Sequence, residues 1–222
     1  MIKNKLITYF LHSNRRKHLD RLQKKYSDSY FGKVLDIGGR NRGNFIKPRY
    51  KTTEWVYIDI QEKYQPDLVQ DVSKMIDIND NSFDVVNTIE LFEHVNEIDK
   101  GFLECRRVLK PQGLFILSMP FLSPIHADPY DFQRWTKFKI EKTLLDLNFK
   151  IEKIEVMGYF FSTLSEILKD LIRSLPVIIR HFGYLFFPFF DFLILFDKLR
   201  LVKNHKKLGN YHGGYFIIAK KI

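Results

Sequence analysis

Val34-Leu35-Asp36-Ile37-Gly38-Gly39-Arg40-Asn41-Arg42-Gly43 is an apolar, strand-like run that enters an acid and then a pair of glycines. Glycine tolerates positive φ and leaves room for a ligand against the main chain, so the stretch suits a tight turn beneath a nucleotide. A plain strand-to-helix turn would read the same way. The next apolar run, Trp55-Val56-Tyr57-Ile58-Asp59, also ends in an acid. A carboxylate at the end of a second strand, about 20 residues beyond the glycine turn, can accept both hydroxyls of a ribose. No arginine directly follows Asp59 to favour a 2′-phosphate. Val69-Gln70-Asp71-Val72 then places an acid at the end of a third strand, suited to an adenine amino group.

Further strand-like runs lie around these, and the expected set is 33–37, 55–60, 68–70, 83–89, 113–118, 150–156 and 215–220. Most are separated by helix-length connections, the pattern of an α/β, doubly wound and mostly parallel sheet. Ligands in such sheets bind beyond the carboxyl ends of the strands, where strand order reverses. The length of 222 residues fits one domain with a large core, and the composition excludes disorder and fibre. One cysteine, Cys105, rules out an internal disulfide framework and any multi-cysteine metal site, and the sequence assigns no metal. A reducing compartment is the simplest fit.

Two longer stretches complete the pattern: FDVVNTIELFEHV at 83–95 and RRVLKPQGLFILSMP at 106–120. With the glycine turn and the Asp59 strand end, they resemble the successive motifs of class I S-adenosylmethionine-dependent methyltransferases, in order and spacing, over about residues 33–121. The resemblance implies a Rossmann-like seven-stranded sheet with an antiparallel last strand, and S-adenosylmethionine as cofactor. It implies that Asp36, Gly38 and Gly39 line the methionine moiety and that Asp59 binds the ribose. Ile60 would pack on the adenine, Asp71 and Val72 would meet its edge, and Glu90 would face the sulfonium. The family's turn is acid-x-Gly-x-Gly-x-Gly, whereas Arg40 and Arg42 hold the later glycine positions here. Either they weaken close backbone approach, or Arg40 meets the cofactor carboxylate. A dehydrogenase would want G-x-G-x-x-G opening into a helix, and that spacing is missing.

After the fifth strand, the loop 119–136 crowds together His126, Asp128, Tyr130, Asp131 and Arg134. Methyl transfer to a hydroxyl needs alignment and benefits from a base. His126 has the natural pKa for that role, Asp131 could orient it, and Arg134 could grip an acidic group bidentately. Asp128, Tyr130 and His94 are the other candidate acceptor contacts. The alternative is that His126 and Asp128 cap turns and Arg134 pairs with a neighbour. His94, one helical turn after Glu90, would share a helix face with it. The loop pattern also resembles a subset of the family associated with bacterial surface-polysaccharide and glycolipid assembly, which implies a saccharide or glycolipid hydroxyl as acceptor.

The net charge of +10 is concentrated: residues 1–25 hold eight bases and one acid, and 198–207 hold five bases and no acid. Phosphate of either nucleic acid or anionic lipid would account for this, as would a solvated basic face. The N-terminal segment 1–32 reads as basic and helical and lacks the apolar length of a secretory signal, so the expected location is cytoplasmic. Residues 157–212 form a hydrophobic helical insertion before the last strand. Its first helix reads as amphipathic, with Phe160, Phe161, Leu164, Ile167, Leu168, Leu171, Ile172 and Leu175 on the apolar face and Ser162, Thr163, Ser165, Glu166, Lys169, Asp170 and Arg173 on the opposite one. The apolar run 182–196 is shorter than a spanning helix. It reads as a lid, a homodimer contact or an element in the inner membrane interface beside the 198–207 basic run. An RNA methyltransferase and a non-catalytic membrane-associated scaffold of the same fold are the rival functions.

Overall fold

The computed structural model describes residues 9–10, 12–39 and 45–222. Seven strands form one sheet: β1 Gly32–Ile37, β2 Thr52–Asp59, β3 Leu68–Val69, β4 Phe83–Ile89, β5 Leu109–Pro120, β6 Phe149–Val156 and β7 Gly214–Lys221. Their order is β3-β2-β1-β4-β5-β7-β6, with an antiparallel last strand. The sheet's direction of growth reverses between β1 and β4, which are parallel neighbours with Asp36 opposite Asn87. The expected strands are all present. The main difference is β5, which starts earlier because 109–112 continues the ladder, with Phe83 opposite Leu109.

β1, β4 and β5 are continuous apolar runs because both their faces are covered. Val34, Leu35, Val85, Val86, Phe115, Ile116 and Leu117 are all fully buried. Helix α2 Ile98–Val108 and helix α3 Lys137–Asp146 belong to the same body. An aromatic chain runs through it: Phe92 lies 4.4 Å from Phe102, and Phe102 stacks on Trp135 at 5.6 Å and meets Phe115 edge-on at the same separation.

The described residues fall into two compact units. One is the sheet unit, Leu22–Glu155 with Tyr215–Ile222. The other combines the chain up to Arg21 with Val156–Gly214. It contains the first part of helix α1 Asn14–Lys25, then α4 Phe160–Ser174, α5 Val177–Gly183, α6 Phe187–Leu193 and α7 Arg200–Asn204.

Two expectations fail in this second unit. First, α4 buries much of its polar face: Ser162, Thr163, Ser165 and Lys169 are buried together with Ile172, while Ile167 and Leu171 are exposed. The interior here holds a polar network in which Asp197, Asn14, Ser165 and Lys169 find partners. The Asp197 carboxylate accepts the N–H groups of Tyr159, Phe161 and Ser162, each at 2.9 Å, neutralising the positive end of the helix. Asn14 Nδ2 donates to Ser165 Oγ at 3.0 Å, and Lys169, only 1% exposed, pairs with Asp191. Second, the apolar segment extends beyond the run 182–196 that the sequence suggests. Helical turns run through Val177–Lys198, 22 residues that by length and composition alone could cross a membrane. Pro188 does not break them, because it sits in the first turn of α6, where its missing N–H costs nothing.

Candidate active site

Asp36 is buried at the end of β1 and is tied down by three donors. Asn87 Nδ2 donates to it at 2.7 Å, Trp55 Nε1 at 3.0 Å, and the Lys47 ammonium lies at 3.1 Å. Its carboxylate occupies the space beside Gly39, where an added Cβ would lie 1.9 Å from Oδ1. Gly38 takes φ +66° while its N–H donates to the Ile58 carbonyl at 2.8 Å. The acid therefore braces the glycine turn, and both glycines are required for their shape. Arg40 and Arg42 lie outside the described residues.

Asp59 ends β2, buried, with Oδ1 accepting from Gln61 N–H at 2.9 Å and Oδ2 from Tyr57 Oη at 2.8 Å. Ile60 beside it is 61% exposed, an apolar side chain facing outward at the strand end. Asp71 is exposed and accepts from Ser73 N–H and Oγ, both at 2.8 Å. Val72 is buried, near enough to Gly101 to be 3.6 Å from a Cβ built there, so its side chain serves the core.

Glu90 follows β4 with φ +51°, a left-handed conformation that costs about 1–3 kcal/mol in a residue other than glycine. Its N–H donates to Ser118 Oγ at 3.0 Å, which holds the bend against β5. The chain then makes a short 3-10 turn, Phe92–His94. Glu90 and His94 thus do not share a helix face, contrary to the sequence expectation, because the left-handed bend intervenes.

The loop after β5 is fastened to this turn. Phe132 N–H donates to Glu93 O at 2.8 Å, and Gln133 Nε2 donates to Val95 O at 2.7 Å. His94 Nδ1 lies 2.6 Å from the Tyr130 carbonyl, and the rings of His94 and His126 meet edge to face at 5.0 Å. Asp131 Oδ2 accepts His126 N–H at 2.9 Å and lies 3.3 Å from its Nδ1. Both Asp131 oxygens are gripped by Arg134, at 2.5 and 2.7 Å. Arg134 holds the Asp131 carboxyl well below the usual carboxylate range, burial opposing and the His126 N–H reinforcing. Asp131 is thus a permanent anion that positions His126 rather than a proton acceptor. Arg134, committed to Asp131, follows the neighbour-pairing alternative. Asp128 and Tyr130 are exposed.

Sequence reasoning misses Glu93, which is fully buried, and the bracing residues Lys47, Trp55 and Asn87. Glu93 stands in the quoted stretch next to His94, and an acid in an otherwise apolar run is the available signal. The others act across strands and leave no local spacing.

Residues 51–117 match a family model described as a methyltransferase domain. That span includes Asp59, Asp71, Glu90, Glu93 and His94. Among curated proteins none matches the chain significantly. Solved structures share its fold. A SAM-dependent methyltransferase from Archaeoglobus fulgidus superposes with a TM-score of 0.57 at 16% identity, covering 93% of this chain and 94% of that one. The [4+2]-cyclase SpnF gives 0.56 at 17%, covering 91% and 80%. The phosphoethanolamine N-methyltransferase 2 of Haemonchus contortus, solved with S-adenosyl-L-methionine, gives 0.51 at 18%, covering 92% of this chain and 52% of that one. The family match places a methyltransferase domain over residues 51–117, the solved structures show the shared fold, and S-adenosylmethionine is the cofactor that the match supports.

Proposed function

We propose that the protein methylates a hydroxyl of a saccharide or glycolipid while docked on an anionic membrane surface. The observation that carries the reading is the shared edge of one sheet unit. The ribose-type carboxylate Asp59 ends β2, the braced Gly38–Gly39 turn ends β1, and the His94–His126 pair follows β4 and β5. S-adenosylmethionine, when bound, supplies a methyl group on a sulfonium. Asp59 accepts from the ribose hydroxyls, Ile60 covers the adenine, and the Asp36 brace keeps the glycine backbone close to the methionine end. His126 takes the acceptor proton, and Asp131 and the Pro124 carbonyl hold its Nδ1 side, leaving Nε2 for that proton.

The membrane part of the reading rests on the second unit, where α4 buries polar groups and much of the apolar surface between Val177 and Lys198 faces out. Ile178, Phe182, Leu185, Phe189 and Phe192 are all more than half exposed, Leu185 at 77%. The basic run Lys198, Arg200, Lys203, Lys206 and Lys207 adjoins them. Apolar insertion with flanking bases is the signature of interfacial binding, each base near the surface adding about 1 kcal/mol. A lipid-linked acceptor suits such a surface.

Calorimetry of the full chain with S-adenosylmethionine tests the catalytic half. One-site binding that Asp59→Ala weakens at least tenfold supports it, and absence of heat from folded protein overturns it. Mass spectrometry of cellular glycans and lipids, with and without the gene, then seeks a species differing by one methyl group.

A further inference from the structure

We propose that Glu93, His94 and His126 form a binding site for one divalent transition-metal ion, zinc being the simplest probe. One donor atom from each of the three lies within 4.8 Å of the others, and His94 Nε2 is 3.8 Å from Glu93 Oε1. That separation is too long for a hydrogen bond. It is about 0.5 Å wider than the edge of a tetrahedral site with metal–ligand distances near 2.0–2.1 Å, and the 4.8 Å limit for the trio is about 1.4 Å wider, so the side chains must rotate inward to close on an ion.

The tautomers point the same way. His94 Nδ1 sits 2.6 Å from the Tyr130 carbonyl oxygen, which can only accept, so Nδ1 carries a proton and Nε2, on the Glu93 side, is the nitrogen left to ligate an ion. His126 Nδ1 faces two acceptors, Pro124 O at 3.2 Å and Asp131 Oδ2 at 3.3 Å, which leaves its Nε2 as the donor to an ion. Imidazoles whose second nitrogen donates to a carbonyl or carboxylate are the usual supports of a metal site, because the outer bond fixes ring and tautomer. Both histidines have one.

Two imidazoles and one carboxylate select a first-row transition ion over magnesium or calcium, which prefer all-oxygen shells. Three protein ligands leave a fourth position open, the arrangement of catalytic rather than structural sites. This deepens the methyltransferase reading and rests on it. An acceptor hydroxyl at the open position would be acidified by the ion, its proton passing to water, and His126 would then act as ligand instead of base.

Full-length protein stripped with EDTA and titrated calorimetrically with Zn2+, and separately with Mn2+, tests the site. One stoichiometric site is expected, weakened at least 100-fold in His94→Ala and in His126→Ala. Asp131→Asn, which touches no ion, should weaken binding roughly 10- to 100-fold through the outer bond. Circular dichroism checks that each variant is folded. Failure to saturate below millimolar metal, or wild-type affinity surviving in the His94→Ala/His126→Ala double variant, overturns the proposal. S-adenosylmethionine titrated into the same stripped samples separates the two claims. Cofactor binding without metal binding removes only the metal site, whereas metal binding without cofactor binding removes the methyltransferase reading.

Discussion

Replacing Asp36 by asparagine changes one atom's chemistry and leaves the shape of the side chain intact, so it isolates the brace beneath the glycine turn. The carboxylate receives three donors, from Asn87, Trp55 and Lys47. An amide offers one acceptor oxygen and one NH2 group. With the oxygen kept toward Trp55 and Lys47, the NH2 meets the NH2 of Asn87. Asn87 can turn over, but its oxygen now accepts from Tyr30 Oη at 3.0 Å, inside a buried chain, so that bond must be rewired as well. Hydrogen bonds to an ionised group contribute about 1.5–3 kcal/mol and neutral ones about 0.5–1.5 kcal/mol. Losing the charge on two such bonds and the ion pair to Lys47 amounts to about 2–4 kcal/mol. At about 2–4 °C per kcal/mol for a chain of this size, the melting temperature should fall by roughly 5–15 °C. Both tryptophans, Trp55 and Trp135, lie in the sheet unit, so urea unfolding followed by tryptophan fluorescence reads that unit directly. Trp55→Phe, which removes a single donor, should cost about 1–2 kcal/mol and be non-additive with Asp36→Asn. A stability change under about 0.5 kcal/mol for Asp36→Asn, the range of an ordinary surface substitution, would refute the brace.

Four further outcomes are expected. Asp59→Ala should lower S-adenosylmethionine affinity by at least tenfold in calorimetry while leaving the melting temperature within a few degrees. Asp197→Ala removes the acceptor of three helix N–H groups and should destabilise the second unit by about 2–4 kcal/mol, measured by loss of helical ellipticity on heating. Burial, with Arg21 adding for His18, pushes His18 and His212 down to about 4 from the ordinary 6.5. The unfolded chain therefore binds more protons between those values. Stability is complete above about pH 6.5 and declines on acidification toward pH 4, by up to about 1.4 kcal/mol per pH unit for each histidine. Urea midpoints at pH 7.5 and 5.0 measure the slope, and His212→Gln should flatten it. Finally, the full chain should sediment with vesicles containing anionic lipid and not with neutral ones, and a Phe182→Ser/Phe189→Ser variant should stay in the supernatant. Sedimentation without lipid, by self-association, would favour the homodimer reading instead.

Strand positions and their end residues are legible because β-branched runs flanked by acids and glycines encode them locally. Asp36 and Asp59 lie at the ends of β1 and β2 and Glu90 directly follows β4, as expected, whereas Asp71 lies two residues beyond β3. The loop cluster is legible as a composition, though not the pairing of Arg134 with Asp131 inside it. The orientation of α4 is not legible. Periodicity locates an apolar stripe and says nothing about which stripe is covered, and here the answer depends on Asp197 and Asn14, far away in the chain. Glu93 escapes a sequence reading for a similar reason. Its importance comes from burial beside His94 and from a later loop, after β5, that brings His126 to the same turn.

The inverted packing of the second unit has a practical consequence at the bench. A flank that is oily where most proteins are wettable will seek cover, and in plain buffer the nearest cover is another copy or the wall of the tube. Mild detergent or nanodiscs should therefore be present from cell lysis onward if turnover measurements are to describe the working molecule.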